Sequence, residues 1–434
     1  MNIDIYILDL LVIGLLLLMV TLGSGWISRL PLSFALIYLV VGIILGPYGF
    51  KLIQLKPNAN FLERATELVV IISVFGCGLK MNRPLKLWAW GITARLIGFL
   101  MPISIVAIAF VGHWLLGMGW GAAVLLGAIL APTDPVLASE VQLSDIEDDD
   151  ELRFGLTSEG GLNDALAFPF VYFGLYLLKD PNWENWFKKW VGVQLIWEIT
   201  AGIIMGIVVA RAVVWLDRKL QKRRRADEMM EDFVALAAIL LTYSLTEIVN
   251  GYGFIAVFVA GIVIARAYHN PEKRLSQLEF LERIEKLMEV GTILLLGSIL
   301  RFLPMVNFAG NSLIVAGLLL FVIRPLGAWI STIGANPPIE NRHRMHPKTR
   351  LLLGWFGIRG VGSIYYLCYA FGEGLKDQLG EQIAWITYTT IVISVLLHGI
   401  SSTPLMKWYE RRVKPSSKNA NSATVPEQTE PRGE

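Results

Sequence analysis

The chain has 434 residues, of which 54% are hydrophobic and 17% are charged, with a formal net charge of +2. Its mean hydropathy is +0.55. The charges lie in short groups between long apolar runs, which is typical of a polytopic membrane protein. The near balance of charge gives no indication of nucleic acid binding. Cys77 and Cys368 both lie in apolar segments, which argues against a disulfide framework or a cysteine metal site.

Apolar stretches long enough to cross a bilayer follow one another along the chain. A transmembrane helix needs about 17–25 mainly apolar residues. The first run has an acidic lead-in and no clear small-residue cleavage site, so we expect a retained helix there and not a signal peptide. The windows predict an all-α polytopic membrane protein with about thirteen transmembrane helices, at about 6–26, 32–50, 62–80, 94–116, 119–141, 152–178, 191–216, 231–249, 253–269, 285–303, 309–333, 350–372 and 383–405.

Basic residues are concentrated in alternate loops, at about 80–86, 218–225, 266–274, 342–350 and 407–418. The positive-inside rule places these loops in the cytoplasm. With an odd number of helices, the N-terminus is then outside the cytoplasmic (inner) membrane and the C-terminus is inside. Residues 414–434 are rich in Ser, Asn, Pro and Glu, so we expect a disordered cytoplasmic tail there.

Helix breakers interrupt two of the predicted helices. Prolines flank Thr133-Asp134 in the fifth helix, and three glycines surround Arg359 in the twelfth. Proline removes a backbone donor and clashes with the preceding turn, so the fifth helix should open. If helices one to six and eight to thirteen form two halves, each interruption lies in the fifth member of its half, as in inverted repeats with a site between discontinuous helices. Asp134 and Arg359 could then neutralise the opened helix ends. Two simply kinked helices are the alternative.

Ionisable groups inside a membrane are costly and are therefore functional candidates. Asp164 follows Asn163 in the sixth predicted helix. Desolvation favours the protonated form of a carboxylate, so Asp164 could hold either a proton or a small hard cation, but not both. Na+ and K+ prefer oxygen ligands, which Asp164, Asn163, Thr133 and carbonyl groups near the breaks can supply. Asp134 is predicted mainly to stabilise an opened helix, and also as a further ligand.

Together these residues resemble a known family. The following motifs are similar to those of NhaP-type monovalent cation/proton antiporters, relatives of the animal sodium/proton exchangers: Thr133-Asp134-Pro135, Glu159 with Asn163-Asp164, Arg324-Pro325 and Trp355-Phe-Gly-Ile-Arg359-Gly. The resemblance covers nearly the whole predicted membrane region. It implies an NhaA-like fold of inverted repeats with two crossed discontinuous helices, a homodimer in the lipid bilayer, and exchange of Na+, or K+ or Li+, for H+ without a cofactor.

The same resemblance divides the predicted membrane unit, residues 1–413. It implies a dimerisation part at about 1–80 and 231–303, a core or transport part at about 94–178 and 309–405, and a linker helix at about 191–216. In the family, an Asn at the position of Asn163 goes with electroneutral exchange. One carboxylate exchanging one cation for one proton gives the same expectation.

Glu159 lies five residues before Asp164, about 140° around the helix, so it is predicted to be a structural partner. The family pattern pairs this Glu with an intramembrane arginine. Arg324 is the first choice and Arg359 the second, because Arg359 already has the helix-end role. Gly160 departs from the family, in which a Ser often follows this Glu, and this leaves the cation's ligands and identity open.

Two other classes of function are alternatives to antiport. An intramembrane aspartyl protease could use Asp134 and Asp164 as a proton-sharing dyad, but neither is preceded by the Gly-x-Gly of such enzymes, which would also not need the two arginines. A channel would not require a single exchangeable carboxylate, and a carrier of organic anions should offer positive helix ends without Asp134 beside them. The sequence therefore predicts a transporter and not an enzyme, with Na+/H+ antiport ahead of K+/H+ antiport.

Overall fold

The computed structural model describes residues 33–46, 49–51, 59–143, 148, 150–221, 232–268, 271–299, 307–335 and 345–412, together with six single positions before residue 33. The predicted first helix lies largely outside the described residues, and the predicted tail at 414–434 lies wholly outside them. Within the described ranges the chain is helical and contains no strand.

The helices of the described residues are numbered in chain order: α1 (Phe34–Leu45), α2 (Ala59–Lys80), α3 (Trp88–Leu115), α4 (Trp120–Leu130), α5 (Glu151–Lys179), α6 (Phe187–Leu220), α7 (Phe233–Ile248), α8 (Gly253–Ala267), α9 (Pro271–Ile299), α10 (Ala309–Ser331), α11 (Pro347–Trp355), α12 (Val361–Gly372) and α13 (Asp377–Arg412). Among them, α3, α5, α6, α10 and α13 are long and apolar enough to cross a membrane by length and composition. Shorter apolar helices are α1, α4, α7 and α8.

The tenth predicted helix, at about 285–303, has the wrong start, because α9 begins at Pro271. Its first half is amphipathic. Leu278 and Leu281 are buried, whereas Glu279, Glu282 and Arg283 are exposed. A hydropathy window averages over both faces and therefore rejects such a segment.

The twelfth predicted helix, at about 350–372, is two helices. α11 ends at Trp355 and α12 begins at Val361, with the glycine-rich segment between them outside any helix. Lys80, at the boundary between the predicted helix at about 62–80 and the predicted basic loop at about 80–86, lies in the last turn of α2. It is 9% exposed and forms an ion pair with Glu282 on α9.

Helix α5 positions most of the candidate residues. It begins after Asp150, whose carboxylate accepts a hydrogen bond from the Arg153 backbone N–H at 3.1 Å. It packs against α2, α4 and α8. The approach to α2 and α8 depends on Gly161, where an added Cβ would lie 2.7 Å from the Phe258 ring and 2.9 Å from Cys77 Cβ. Small residues allow such close approach in membrane helices.

The apolar helices divide into a buried set and a set that faces outwards. In the most apolar stretches of α3, α6 and α10, 39%, 33% and 39% of the residues are buried inside the protein, against 67% in α13. Helices α3, α6 and α10 therefore present large apolar side chains to their surroundings, as lipid-facing helices do.

Candidate functional site

The site lies where the two interrupted helices meet. The prediction that the fifth helix opens at its prolines is confirmed, because α4 ends at Leu130 and residues 131–138 leave the helix. The segment between α11 and α12 lies directly against this opening. The Asp134 backbone N–H donates to the Ile358 carbonyl at 2.8 Å, so the two breaks are in contact.

Asp134 caps two helical turns at once. Its Oδ1 accepts hydrogen bonds from the backbone N–H groups of Val136 at 2.8 Å and Leu137 at 3.2 Å. Its Oδ2 accepts the backbone N–H of Val361, the first residue of α12. Asp134 is 2% exposed. A carboxylate at a helix N-terminus satisfies free N–H groups and opposes the positive end of the helix dipole.

Arg359 supplies a positive charge at the C-terminal end of α4. Its guanidinium donates to the carbonyl oxygens of Ala131 and Pro132, at 2.6 Å for Pro132. These carbonyls lie just beyond the C-terminus of α4, the negative end of its dipole. Each break therefore supplies the charge that the other needs. Arg359 is fully buried, and its backbone N–H donates to Ser394 Oγ at 3.0 Å.

Glu159 and Arg324 form a buried two-pronged ion pair. Arg324 Nη1 contacts Glu159 Oε1, and Nη2 lies 2.8 Å from Oε2. The side chains are 3% and 1% exposed. Arg324 Nη2 also donates to the carbonyls of Leu353 at 3.3 Å and Phe356 at 3.2 Å, at the end of α11. Arg324, the first choice, is therefore the arginine that contacts Glu159, and it also caps a helix end.

Asn163 and Asp164 lie beside the first break. Asn163 Nδ2 donates to Thr133 Oγ1 at 2.7 Å, which joins α5 to the opened segment after α4. Asp164 is fully buried. Neither of its carboxylate oxygens has a hydrogen-bond partner among the described residues, and the same holds for Asn163 Oδ1. Three unsatisfied oxygens thus lie on adjacent residues of one helix.

The first turn of α12 lies against the Asp164 carboxylate. A Cβ added to Gly362 would lie 2.5 Å from Asp164 Oδ1 and 3.1 Å from Oδ2. Only a glycine leaves room for the carboxylate at this distance. Gly160 faces elsewhere, with an added Cβ 3.2 Å from both Pro135 and the Gln142 amide nitrogen.

Sequence reasoning missed two polar partners of the breaks. The Tyr366 hydroxyl on α12 donates to the Asp164 backbone carbonyl. His398 on α13 is 2% exposed, and its Nε2 lies 2.8 Å from the carbonyl of Trp355, the last residue of α11. A buried histidine in an apolar span was the available signal, since polar groups at that depth need partners.

An aromatic cluster surrounds Phe168, close to Asp164 on α5. Phe168, four residues further along α5, lies on the same face one turn away. Its ring centroid is 5.0–6.2 Å from those of six aromatic residues: Tyr172, Tyr252, Phe254, Tyr365, Tyr366 and Tyr369. A cavity of about 260 Å³ is lined in part by Cys77, which packs against Gly161, one helical turn before Asp164.

These features define a class of protein. Apolar helices that contact one another through glycines, two interrupted helices with exchanged charges, and a buried carboxylate between them are typical of a multi-pass membrane transporter. The model of the transmembrane sodium/hydrogen exchanger family matches residues 13–408. The chain belongs to this sodium/hydrogen exchanger family, and the predicted resemblance to NhaP-type antiporters is confirmed.

Three relatives illustrate the similarity. The K+/H+ antiporter NhaP of Alkalimonas amylolytica is 26% identical over 416 residues, which cover 94% of this chain and 68% of the relative. Na+/H+ antiporter 2 of Zygosaccharomyces rouxii is also 26% identical, over 87% of this chain and 50% of its own length. The K+/H+ antiporter NhaP2 of Shewanella sp. (strain ANA-3) is 24% identical, over 87% of this chain and 62% of its own length. This chain therefore spans only part of each relative.

The fold is also that of a solved structure. The sodium proton antiporter MjNhaP1 of Methanocaldococcus jannaschii at pH 8 aligns with a TM-score of 0.70 and 22% identity, over 93% of this chain and 98% of that one. An electron-microscopy structure of the same protein aligns with a TM-score of 0.71 and 20% identity. The all-α membrane fold predicted from the sequence is thus supported along almost the whole chain.

Proposed function

We propose that this protein is a secondary antiporter that exchanges one monovalent cation, Na+ ahead of K+, for one H+ across the cytoplasmic membrane. The observation that carries the proposal is the Asp164 carboxylate, which is fully buried and has no hydrogen-bond donor among the described residues. An unpaired buried carboxylate costs several kcal/mol. A bound proton or a bound cation removes that cost, and the two compete for the same oxygens.

Competition at one carboxylate is sufficient for coupling. If the site changes its access from one side of the membrane to the other only when it holds a proton or a cation, a proton gradient drives the cation in the opposite direction. Asn163 is neutral and next to Asp164, so one negative charge exchanges one positive ion for another. We therefore expect electroneutral exchange.

The cation would bind the oxygens that the described residues leave free. Asp164 supplies two, Asn163 supplies its amide oxygen, and Thr133 Oγ1 accepts one hydrogen bond from Asn163 and keeps a second lone pair. Hard cations prefer such ligands. The carbonyl oxygens of Ala131 and Pro132 accept hydrogen bonds from Arg359. We therefore do not include these two backbone carbonyls among the ligands of the cation. Asp134 is also engaged, which supports its helix-capping role over ion binding.

The surroundings of Asp164 differ along α5. Gly161, one helical turn before Asp164, packs against Cys77, which lines the cavity of about 260 Å³, and the aromatic cluster surrounds Phe168, one turn after Asp164. In this proposal, movement of the core part (94–178 and 309–405) against the dimerisation part (1–80 and 231–303) of a homodimer reverses the access. The contacts of α2 with α5 and α12 form part of the boundary between those parts.

The protease alternative has less support. A proton-sharing dyad needs two carboxyl groups that face each other with one proton between them. Here both oxygens of Asp134 accept backbone N–H groups instead.

The experiment is a cation panel in proteoliposomes with an imposed pH gradient. Addition of Na+, K+ or Li+ should dissipate the gradient, and a difference between the three gives the preferred cation. A membrane potential should leave the rate unchanged if exchange is electroneutral. The proposal would be contradicted if none of the three cations dissipated the pH gradient at any pH between 6 and 9.

A further inference from the structure

A second cavity, of about 590 Å³, lies between the C-terminal halves of α6 and α8. Five residues of α6 form one wall: Arg211, Val214, Trp215, Arg218 and Lys219. Their i, i+3, i+4, i+7, i+8 spacing places them on one face of the helix. Val263 and Ala267 of α8 form the other wall. Three of these lining residues are cations and none is acidic, so the cavity carries an excess of positive charge.

The cavity begins where the close packing of α6 and α8 ends. At Gly206 of α6, an added Cβ would lie 2.4 Å from the Ala256 carbonyl oxygen of α8, so the two backbones are in contact there. Further towards its C-terminus, α6 has the long side chains of Arg211 and Trp215 in place of glycine. The two helices leave a space between them at that level.

The cations of this cavity lack acidic partners. Among the described residues, no carboxylate oxygen lies within 4.0 Å of Arg211, Arg218 or Lys219. Arg218 donates to the carbonyl of Ala267, the last residue of α8. The Lys219 ammonium lies 4.6 Å from the centre of the Trp215 ring. These contacts hold two of the side chains beside the cavity, but they do not neutralise the charges.

Arg211 is the cation that the position of the helix end does not explain. It is exposed, and it lies inside the predicted membrane segment at about 191–216. Seven residues separate it from Arg218, which corresponds to about 10 Å along the helix. Basic residues at the end of α6 agree with the positive-inside rule, but a charge about two turns deeper is costly without an anion. Asp217 does not line the cavity, and its carboxylate accepts a hydrogen bond from the Tyr268 hydroxyl at 2.7 Å.

The surroundings of the cavity are apolar and exposed. Trp215 is 60% exposed, and Leu216 and Leu220 on the same helix are 49% and 56% exposed. Exposed apolar side chains beside tryptophan and basic residues are typical of the boundary between the hydrocarbon and the headgroups of a bilayer. A ligand that fits here has an anionic group for the cations and apolar chains for the face of α6. An acidic phospholipid has both, whereas a free phosphate ion has only the first.

We propose that this cavity binds the headgroup phosphate of an acidic phospholipid, with Arg211, Arg218 and Lys219 as its partners. Guanidinium groups bind phosphate oxygens through paired hydrogen bonds, and basic pockets between membrane helices bind acidic headgroups. The lipid joins α6, the predicted linker helix, to α8. A second copy of this chain is a poorer occupant, because a twofold interface uses the same patch on both subunits and would bring like charges together.

The test is a titration of the full-length protein in a neutral detergent with phosphatidylglycerol, in which native mass spectrometry counts the bound lipids. One basic residue near a membrane surface contributes about fivefold to the binding of acidic lipid. Arg211→Gln should therefore weaken phosphatidylglycerol binding about fivefold, and the double variant with Lys219→Gln about 25-fold. Binding of phosphatidylcholine, which has no net charge, should not change. The matched control is Lys188→Gln, which removes an exposed charge at the opposite end of α6 and should leave both lipids unaffected.

Arg211 and Lys219 are exposed, so the double variant should keep the Tm of the wild type in detergent without lipid, and the single variant Arg211→Gln remains if the double variant folds poorly. Equal phosphatidylglycerol binding by the wild type and these variants would overturn the proposal. Displacement of the lipid by an equal concentration of inorganic phosphate would assign the cavity to a soluble anion and overturn it too. So would a change of oligomeric state at unchanged lipid binding, which would assign the face to a second copy. The readout is lipid binding, so the result does not depend on the exchange proposal.

Discussion

Replacing Glu159 with alanine should strongly destabilise the protein, because it leaves Arg324 charged in a closed environment. The two side chains are 3% and 1% exposed, so water cannot replace the lost carboxylate. Removing one partner of a buried ion pair costs about 3–5 kcal/mol. The hydrogen bonds from Arg324 to Leu353 and Phe356 remain, but they do not neutralise the charge.

An exposed pair provides the comparison. Lys179 Nζ lies 3.0 Å from Glu373 Oε2, but these side chains are 54% and 42% exposed. Such a pair contributes about 1 kcal/mol or less. Glu373→Ala should therefore be nearly neutral.

The assay is thermal unfolding in detergent, followed by tryptophan fluorescence at one fixed scan rate. Glu159→Ala should lower Tm clearly more than Glu373→Ala, together with yield and exchange activity. The double variant Glu159→Ala with Arg324→Ala should be less destabilised than the sum of the single variants, since it leaves no unpaired charge. A Glu159→Ala protein as stable as the Glu373→Ala control, but inactive, would refute the structural role and argue for direct participation in transport.

Three further predictions concern the surroundings of Asp164. Gly362→Ala should reduce exchange strongly, because the added Cβ would lie 2.5 Å from the Asp164 carboxylate, whereas Gly98→Ala, with nothing within 4 Å, should leave the initial rate unchanged; equal rates for both would contradict this packing. Thr133→Ala should raise the KM for the cation severalfold and Thr133→Ser should restore it, and an unaffected KM in the alanine variant would remove Thr133 from the ligands. Phe168→Ala should cost about 3–5 kcal/mol and lower Tm, and an unshifted Tm would mean that the aromatic cluster does not depend on its central ring.

The sequence carries strong information where a local residue type determines the backbone. Prolines around Thr133-Asp134 predicted the opening of the fifth helix, and α4 does end at Leu130. Glycines around Arg359 predicted the second interruption, which lies between α11 and α12. In both cases the chain itself cannot continue a regular helix with its normal hydrogen bonds.

Contacts between distant segments are less accessible from a single sequence. The sequence offers two arginines as partners of Glu159, and only the folded structure, in which α10 packs against α11 and Arg324 contacts Glu159 on α5, distinguishes them. The Ser73–Glu285 contact joins residues 212 positions apart, and the charged first half of α9 is helical although it is too polar for a hydropathy window to identify. Hydropathy identifies which segments are apolar, but it does not identify which polar groups of amphipathic helices face inwards.

The central claim is that one carboxylate, Asp164, binds both the cation and the proton. The most direct test is Asp164→Asn in proteoliposomes, with cation uptake and proton efflux measured on the same preparation. Both fluxes should be lost together, and Tm should be unchanged or higher because a buried charge without a partner has been removed. Substantial exchange by a folded Asp164→Asn protein would place the exchange site elsewhere and contradict the account.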